Sequence, residues 1–202
     1  MKETPIFEEV FMRLLGQRGA ALKILVGGLF SFIPGVNLLA FGYLYRFSAQ
    51  LRRNGQLTLP DWTDWPGLLL DGIKFAVAWL AYCLLPLALA FLFFALLSAL
   101  GLAPIGYLLV AVVFAASAVL FSAALYRLQG RSEFRDLLDV LLICRMAYLE
   151  WPRFVLPALV FLGIVALGLP LYGLALFTAF LTLIAFATIR YRLIEQRRTA
   201  SV

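Results

Sequence analysis

Every aspartate, glutamate, lysine and arginine of this 202-residue chain lies outside three apolar runs, residues 24–45, 75–126 and 154–189. A charge at bilayer depth costs about 2.5–3.5 kcal/mol on insertion scales. A chain that keeps three long runs free of charge is therefore built to place them in lipid. Hydrophobic residues make up 64% of the sequence and charged ones 14%. Soluble domains carry about 25% charged residues. The runs are continuous rather than alternating, which selects helices over a barrel. The expected fold is all-α, a polytopic transmembrane helical bundle with amphipathic interfacial helices.

The number of segments follows from run length and from glycine and proline. The second run has about 52 residues, enough for two spans of about 20 with a turn. Gly101-Leu102-Ala103-Pro104 supplies that turn, and Pro86 should kink the first span. The second span sets Ala111, Ala115, Ala118 and Ser122 at helical spacing, which suits close helix approach. In the third run Gly168-Leu169-Pro170 divides a hairpin with a short first arm that starts near Trp151-Pro152-Arg153. Thr178 and Thr182, one turn apart, can bond their own backbone or a neighbouring helix.

The first run is broken in its middle by Ile33-Pro34-Gly35. It is either one kinked span or a hairpin or re-entrant pair. Arg13, Arg18 and Lys23 precede it, and Arg46, Arg52 and Arg53 follow it. The positive-inside rule selects the returning pair, because it keeps both basic clusters on one side. That gives about six membrane segments in three hairpins. All polar segments then share the cytoplasmic face of the cell membrane, including both termini and the basic tail 190–202.

Residues 1–18 form an amphipathic N-terminal segment. Ile6, Phe7, Val10, Phe11, Leu14 and Leu15 fall near helical spacing over 5–16. It can lie at the interface or dock on protein, and it has no signal-peptide pattern. In 127–153, Ser132 is placed to cap an interfacial helix. Ser132, Arg135, Asp136 and Asp139 form its polar stripe, and Leu138, Leu141, Leu142 and Met146 its apolar face.

In the connection 42–75, Asn54-Gly55 signals a turn, and Asp64 before Trp65-Pro66 reads as a helix N-cap. Asp71 and Lys74 can pair one turn apart, and Trp62 and Trp65 suit an interfacial belt. Phe47-Ser48-Ala49 with Leu51 and Arg53 is echoed by Phe121-Ser122-Ala123 with Leu125 and Arg127. The echo suggests two related halves, about 22–100 and 101–189, within one integral membrane domain.

KILVGGLFSF at 23–32, the turn 34–37, Gly42-Tyr43-Leu44 with Arg46, and LPDWTDWPGLLLDG at 59–72 resemble the prokaryotic membrane-protein family catalogued as domain of unknown function 4013. Gln129-Gly130-Arg131 and Phe134 also fit it. The resemblance implies a polytopic helical protein of the cytoplasmic membrane and no particular activity. Trp65-Pro66-Gly67 stands where the family pattern has tryptophan-glycine-acid.

The chain has no histidine, no G-x-S-x-G and two cysteines, Cys83 and Cys144, that do not read as a disulfide framework. Asp61, Asp64 and Asp71 are the one acidic cluster to weigh as a metal site, although Asp64 is already explained as a cap. Gly27-Gly28 lacks the context of a phosphate loop and suits close helix packing. Asn37, beside the break, is either a cap or a ligand contact. The net charge of +6 matches anionic lipid better than nucleic acid. Arg46, Arg52 and Arg53, with Arg190, Arg192, Arg197 and Arg198, are basic groups for that contact. The expectation is a non-catalytic scaffold or accessory subunit without metal or cofactor. Its partners are membrane lipids and a membrane protein or a second copy. An uncoupled solute or lipid transporter is the alternative, and a metal enzyme using the three aspartates comes last.

Overall fold

The computed structural model describes residues 7–131 and 133–200, and Ile6 and Ser132 lie outside them. Among the described residues eight α-helices run in order: α1 Phe7–Leu15, α2 Ala20–Phe32, α3 Asn37–Asn54, α4 Trp65–Trp79, α5 Leu85–Ala99, α6 Ala103–Arg131, α7 Val140–Leu167 and α8 Tyr172–Ala200. No strand occurs among the described residues. A π turn, Leu80–Leu84, joins α4 to α5 without a break. Four helical stretches among the described residues are long and apolar enough to cross a membrane: Trp65–Ala99, Ala103–Gly130, Val140–Leu167 and Tyr172–Arg197.

The backbone divides into two compact units, residues 1–76 with 159–202 and residues 77–158. Their boundaries fall inside helical stretches and do not follow a 100/101 division.

In the first unit, α2, α3 and α1 all pack on α8. Close backbone approach explains the glycines. A Cβ at Gly27 would overlap the Phe177 ring, and one at Gly28 would sit 2.9 Å from the Leu174 Cα. Gly27-Gly28 is thus a helix-packing pair. Gly42 of α3 and Gly72 of α4 form a reciprocal contact. A Cβ on Gly42 would overlap the Leu68 carbonyl, and one on Gly72 the Leu38 carbonyl. The core beside this crossing holds Tyr43, Phe47, Leu68 and Phe75, each fully buried. Helix α1 docks through buried Val10 and Leu14 and leaves Met12 and Leu15 exposed.

The break at 33–36 is real. Helix α2 stops at Phe32, Gly35 takes φ 85°, and α3 starts at Asn37. Each helix is short. At 1.5 Å per residue, α2 reaches only about 20 Å, less than the ~30 Å hydrocarbon core.

In the second unit, α5 and α6 pack on each other across Gly101. Gly101 adopts φ 77°; Leu102 N donates to Leu97 O at 2.8 Å and Gly101 N to Ser98 O at 3.0 Å. This is a Schellman close. Gly106 lies under the Phe94 ring, which meets Tyr107 at 4.8 Å. Near Pro86 the ladder shifts, with Leu85 N donating to Leu80 O. A proline has no N–H to give its i−4 carbonyl, and a π turn is one way to absorb that loss.

Two expectations are corrected. The stretch before residue 154 is no separate interfacial helix, because α7 runs unbroken from Val140 through Pro152 and Pro157 to Leu167. The apolar helix before the turn at 168–171 is therefore long. Its cap is Asp139, whose Oδ1 accepts from Leu142 N at 3.3 Å. Asp136 does not belong to an exposed stripe either. It is buried, 3.8 Å from Arg127, in a 3-10 turn Phe134–Leu138. The turn at 168–171 is as expected. Thr178 and Thr182 bond their own backbone, at Leu174 O (2.8 Å) and Thr178 O (3.1 Å).

Gly42→Ala should lower stability by about 2 kcal/mol, since the opposing group is backbone that cannot rotate away. Gly163→Ala, where a Cβ meets nothing within 4 Å, should change it by less than about 0.5 kcal/mol. Unfolding in mixed micelles measures both.

Candidate functional site

The segment between α3 and α4 has no helix of its own, so its backbone groups need partners elsewhere. Gln17, just after α1, satisfies two of them. Its Nε2 donates to Leu57 O at 2.7 Å, and its Oε1 accepts from Leu59 N at 3.0 Å. Lys23 of α2 donates to Leu59 O at 2.9 Å. Residues 55–64 are thus a strap held against the bundle.

Each residue of the sequence LPDW is engaged. Leu59 is buried. The Pro60 carbonyl accepts from the Tyr43 hydroxyl at 2.9 Å. Asp61 pairs with Lys23 at 2.7 Å. Trp62 stacks on Tyr43 with centroids 4.2 Å apart, meets Phe30 edge-on at 5.3 Å, and donates Nε1–H to Lys23 O at 3.3 Å. Trp62 is therefore half-buried in an aromatic cluster of the first unit. Trp65 keeps an exposed face.

Arg46 is the hub. It stands on α3, with its side chain 23% exposed. Its Nη1 donates to Thr63 O at 3.1 Å and its Nη2 to Asp64 Oδ2 at 3.1 Å. Its Nε and Nη2 both reach Asp71 Oδ2 at 3.4 Å. One guanidinium thereby joins α3, the strap and α4. Its planar fork of donors suits this task, which a lysine could not repeat. Asp64 is used twice: Oδ1 caps α4 through Gly67 N at 3.3 Å while Oδ2 pairs with Arg46. Asp64 has φ 56°, a conformation that aspartate tolerates better than most residues. A side chain at position 67 would strike Asp64 Oδ2 and Arg46, which accounts for Gly67. Asp71 also pairs with Lys74 at 3.5 Å.

Asp64 and Asp71 are thus brought together on Arg46, whereas Asp61 pairs separately with Lys23. No group of three or more histidine, cysteine, aspartate or glutamate side chains fit to hold a metal occurs among the described residues. The remaining candidates lie apart. Arg52 pairs with Glu195 of α8 at 3.2 Å, and Arg53 Nε donates to Ala49 O at 3.3 Å. Asn37 is the first residue of α3, about 13 Å along the helix from Arg46. It is not the N-cap. Val36 holds that position, without a side-chain capping bond. A cavity of about 580 Å³ lies beside the strap, lined by Arg13, Gln56, Thr58 and Arg192 among others.

Sequence reasoning missed Gln17 and Tyr43 as partners of the strap, Thr63 as a partner of Arg46, and the pairing of Lys23 with Asp61. The available signal was the density of LPDW, where proline, acid and tryptophan meet in a polar connection.

Arg46→Gln should destabilise the protein by about 2 kcal/mol, the scale of a lost hydrogen bond to a charged group. In a double-mutant cycle with Asp71→Asn the losses should be less than additive, as for residues in one network. Denaturant or thermal unfolding in detergent reads the coupling.

No curated protein and no solved structure matches the chain. A family model matches residues 26–194, from α2 into α8 and including the strap and its hub, and the chain belongs to that family, the proteins of unknown function designated DUF4013.

Proposed function

We propose that the protein is a non-catalytic, multi-pass component of the cytoplasmic membrane, a scaffold or accessory subunit that organises lipid or protein partners. The observation that carries this reading is the pairing of Asp61, Asp64 and Asp71 with Lys23, Arg46 and Lys74. An acid fixed between cations and a helix cap has little capacity left for a metal or for proton transfer. The charge-free apolar runs point the same way, since coupled transporters place ionisable groups near the midplane. Six segments in three hairpins, with α2 and α3 as a short returning pair, would put the strap and both termini on the cytoplasmic side. The basic residues at the helix ends support that orientation.

Changing Asp61, Asp64 and Asp71 together to asparagine separates the readings. A structural network predicts a lower melting temperature in detergent and no change in bound divalent metal. Stoichiometric magnesium or manganese that is lost with the three carboxylates would instead establish a metal site. Asn37→Leu tests translocation. Loss of a solute or lipid flux in proteoliposomes, with stability unchanged, would replace the scaffold reading by a transporter.

A further inference from the structure

Within residues 77–158 the chain forms a cavity of about 840 Å³. Its walls come from the end of α4, the π turn and the start of α5, with Leu120 of α6 and Val140 of α7 opposite. Val77, Ala81, Leu85 and Pro86 place the groove along about 14 Å of one apolar helix. That helix is among those suited to span a membrane. At the rim, the 3-10 turn carries Phe134, Arg135 and Leu138, all exposed. The groove exists because of two local features. The ladder is displaced ahead of Pro86, and the displaced Tyr82 donates its hydroxyl to Leu137 O, holding the rim beside the helix. π turns recur at functional sites because they reshape a helix surface at a cost in regularity.

Charge at the rim identifies the occupant. Two nearby acids are turned to other tasks: Asp136 faces Arg127 inside the fold, and Asp139 caps α7, while Glu133 is exposed at the start of the turn without an ion pair to Arg135. Among the described residues no carboxylate lies within ion-pair distance of Arg135. An exposed guanidinium at the mouth of an apolar groove, five residues before a membrane-suited helix, matches a molecule with an anionic head and a hydrocarbon tail. We propose that this groove binds one acyl chain of an anionic phospholipid and that Arg135 holds its phosphate. This deepens the lipid arm of the proposed function and rests on the membrane reading.

The test uses the full chain in mild detergent, stripped of lipid and titrated with phosphatidylglycerol or phosphatidylcholine under native mass spectrometry. One phosphatidylglycerol should be retained per chain, with about fivefold preference over phosphatidylcholine, the scale of one basic contact near a membrane surface. Arg135→Gln should abolish the preference and Arg135→Lys retain most of it. Arg145→Gln, an exposed basic site on α7 outside the lining, should leave it unchanged. Cys144 supplies a second readout, since it is exposed and lines the groove whereas Cys83 is buried. Phosphatidylglycerol should slow alkylation of Cys144 in the parent chain and not in Arg135→Gln. Equal retention of both lipids, or equal loss in Arg135→Gln and Arg145→Gln, would overturn the site and leave the membrane reading intact. A chain dimer that protects Cys144 without lipid would overturn it in favour of a second copy. A chain that stays monodisperse without detergent would sink the membrane reading itself.

Discussion

A single guanidinium, that of Arg46, holds together what the backbone alone cannot. The strap 55–64 has no helical ladder and no sheet to satisfy it, so its conformation depends on side chains reaching in from Gln17, α2 and α3. Arg46 supplies the electrostatic centre by joining Thr63, Asp64 and Asp71. Trp62 supplies the apolar centre by filling the space between Phe30 and Tyr43. The reciprocal contact of Gly42 and Gly72 brings α4 close enough for Asp71 to reach the hub. A longer helix separation would weaken every one of these ion pairs, because Coulomb energy falls with distance and water enters.

The same separation of charge from apolar length shapes the rest of the chain. Ion pairs stay outside the three charge-free runs, even where a pair such as Glu150–Arg153 falls within a long helix, and the long helices present leucine and phenylalanine outward. Leu92, Phe93 and Leu96 of α5 and Leu156 and Leu159 of α7 are all exposed. Such surfaces would aggregate in water and are at home in hydrocarbon. By contrast α8 is largely enclosed, with 72% of its most apolar window buried against 17% for Trp65–Ala99. That difference makes α8 the internal helix on which α1, α2 and α3 assemble.

Much of this architecture was legible in the sequence. The breaks at Pro34-Gly35, Gly101 and Gly168 were readable because glycine and proline leave few backbone alternatives. The Asp64 cap was readable because capping is local. What is decided by distant residues was hidden. Asp61 meets Lys23 and Asp71 meets Arg46 only after α2, α3 and α4 have packed. The interfacial helix expected before residue 154 was misread, because one long helix continues through Pro152 and Pro157. In a membrane-suited helix, neighbouring groups can satisfy the carbonyls that a proline leaves open. Asn37 misled for the opposite reason: its type suits an N-cap, but the helix begins one residue early, with Val36 in that place. The rim around Arg135 was read as one amphipathic surface, whereas the 3-10 turn sends Asp136 inward and leaves Arg135 out.

Amide hydrogen exchange across residues 55–68, in the detergent-solubilised full chain, tests the locked strap most directly. Leu59 N–H is bonded to Gln17, Gly67 N–H to the Asp64 carboxylate and Leu68 N–H to the Asp64 carbonyl. The account predicts that these amides exchange far more slowly than an open loop would, and that Arg46→Gln speeds the Asp64-bonded pair together. Free exchange of Leu59, Gly67 and Leu68 in the parent chain would contradict it.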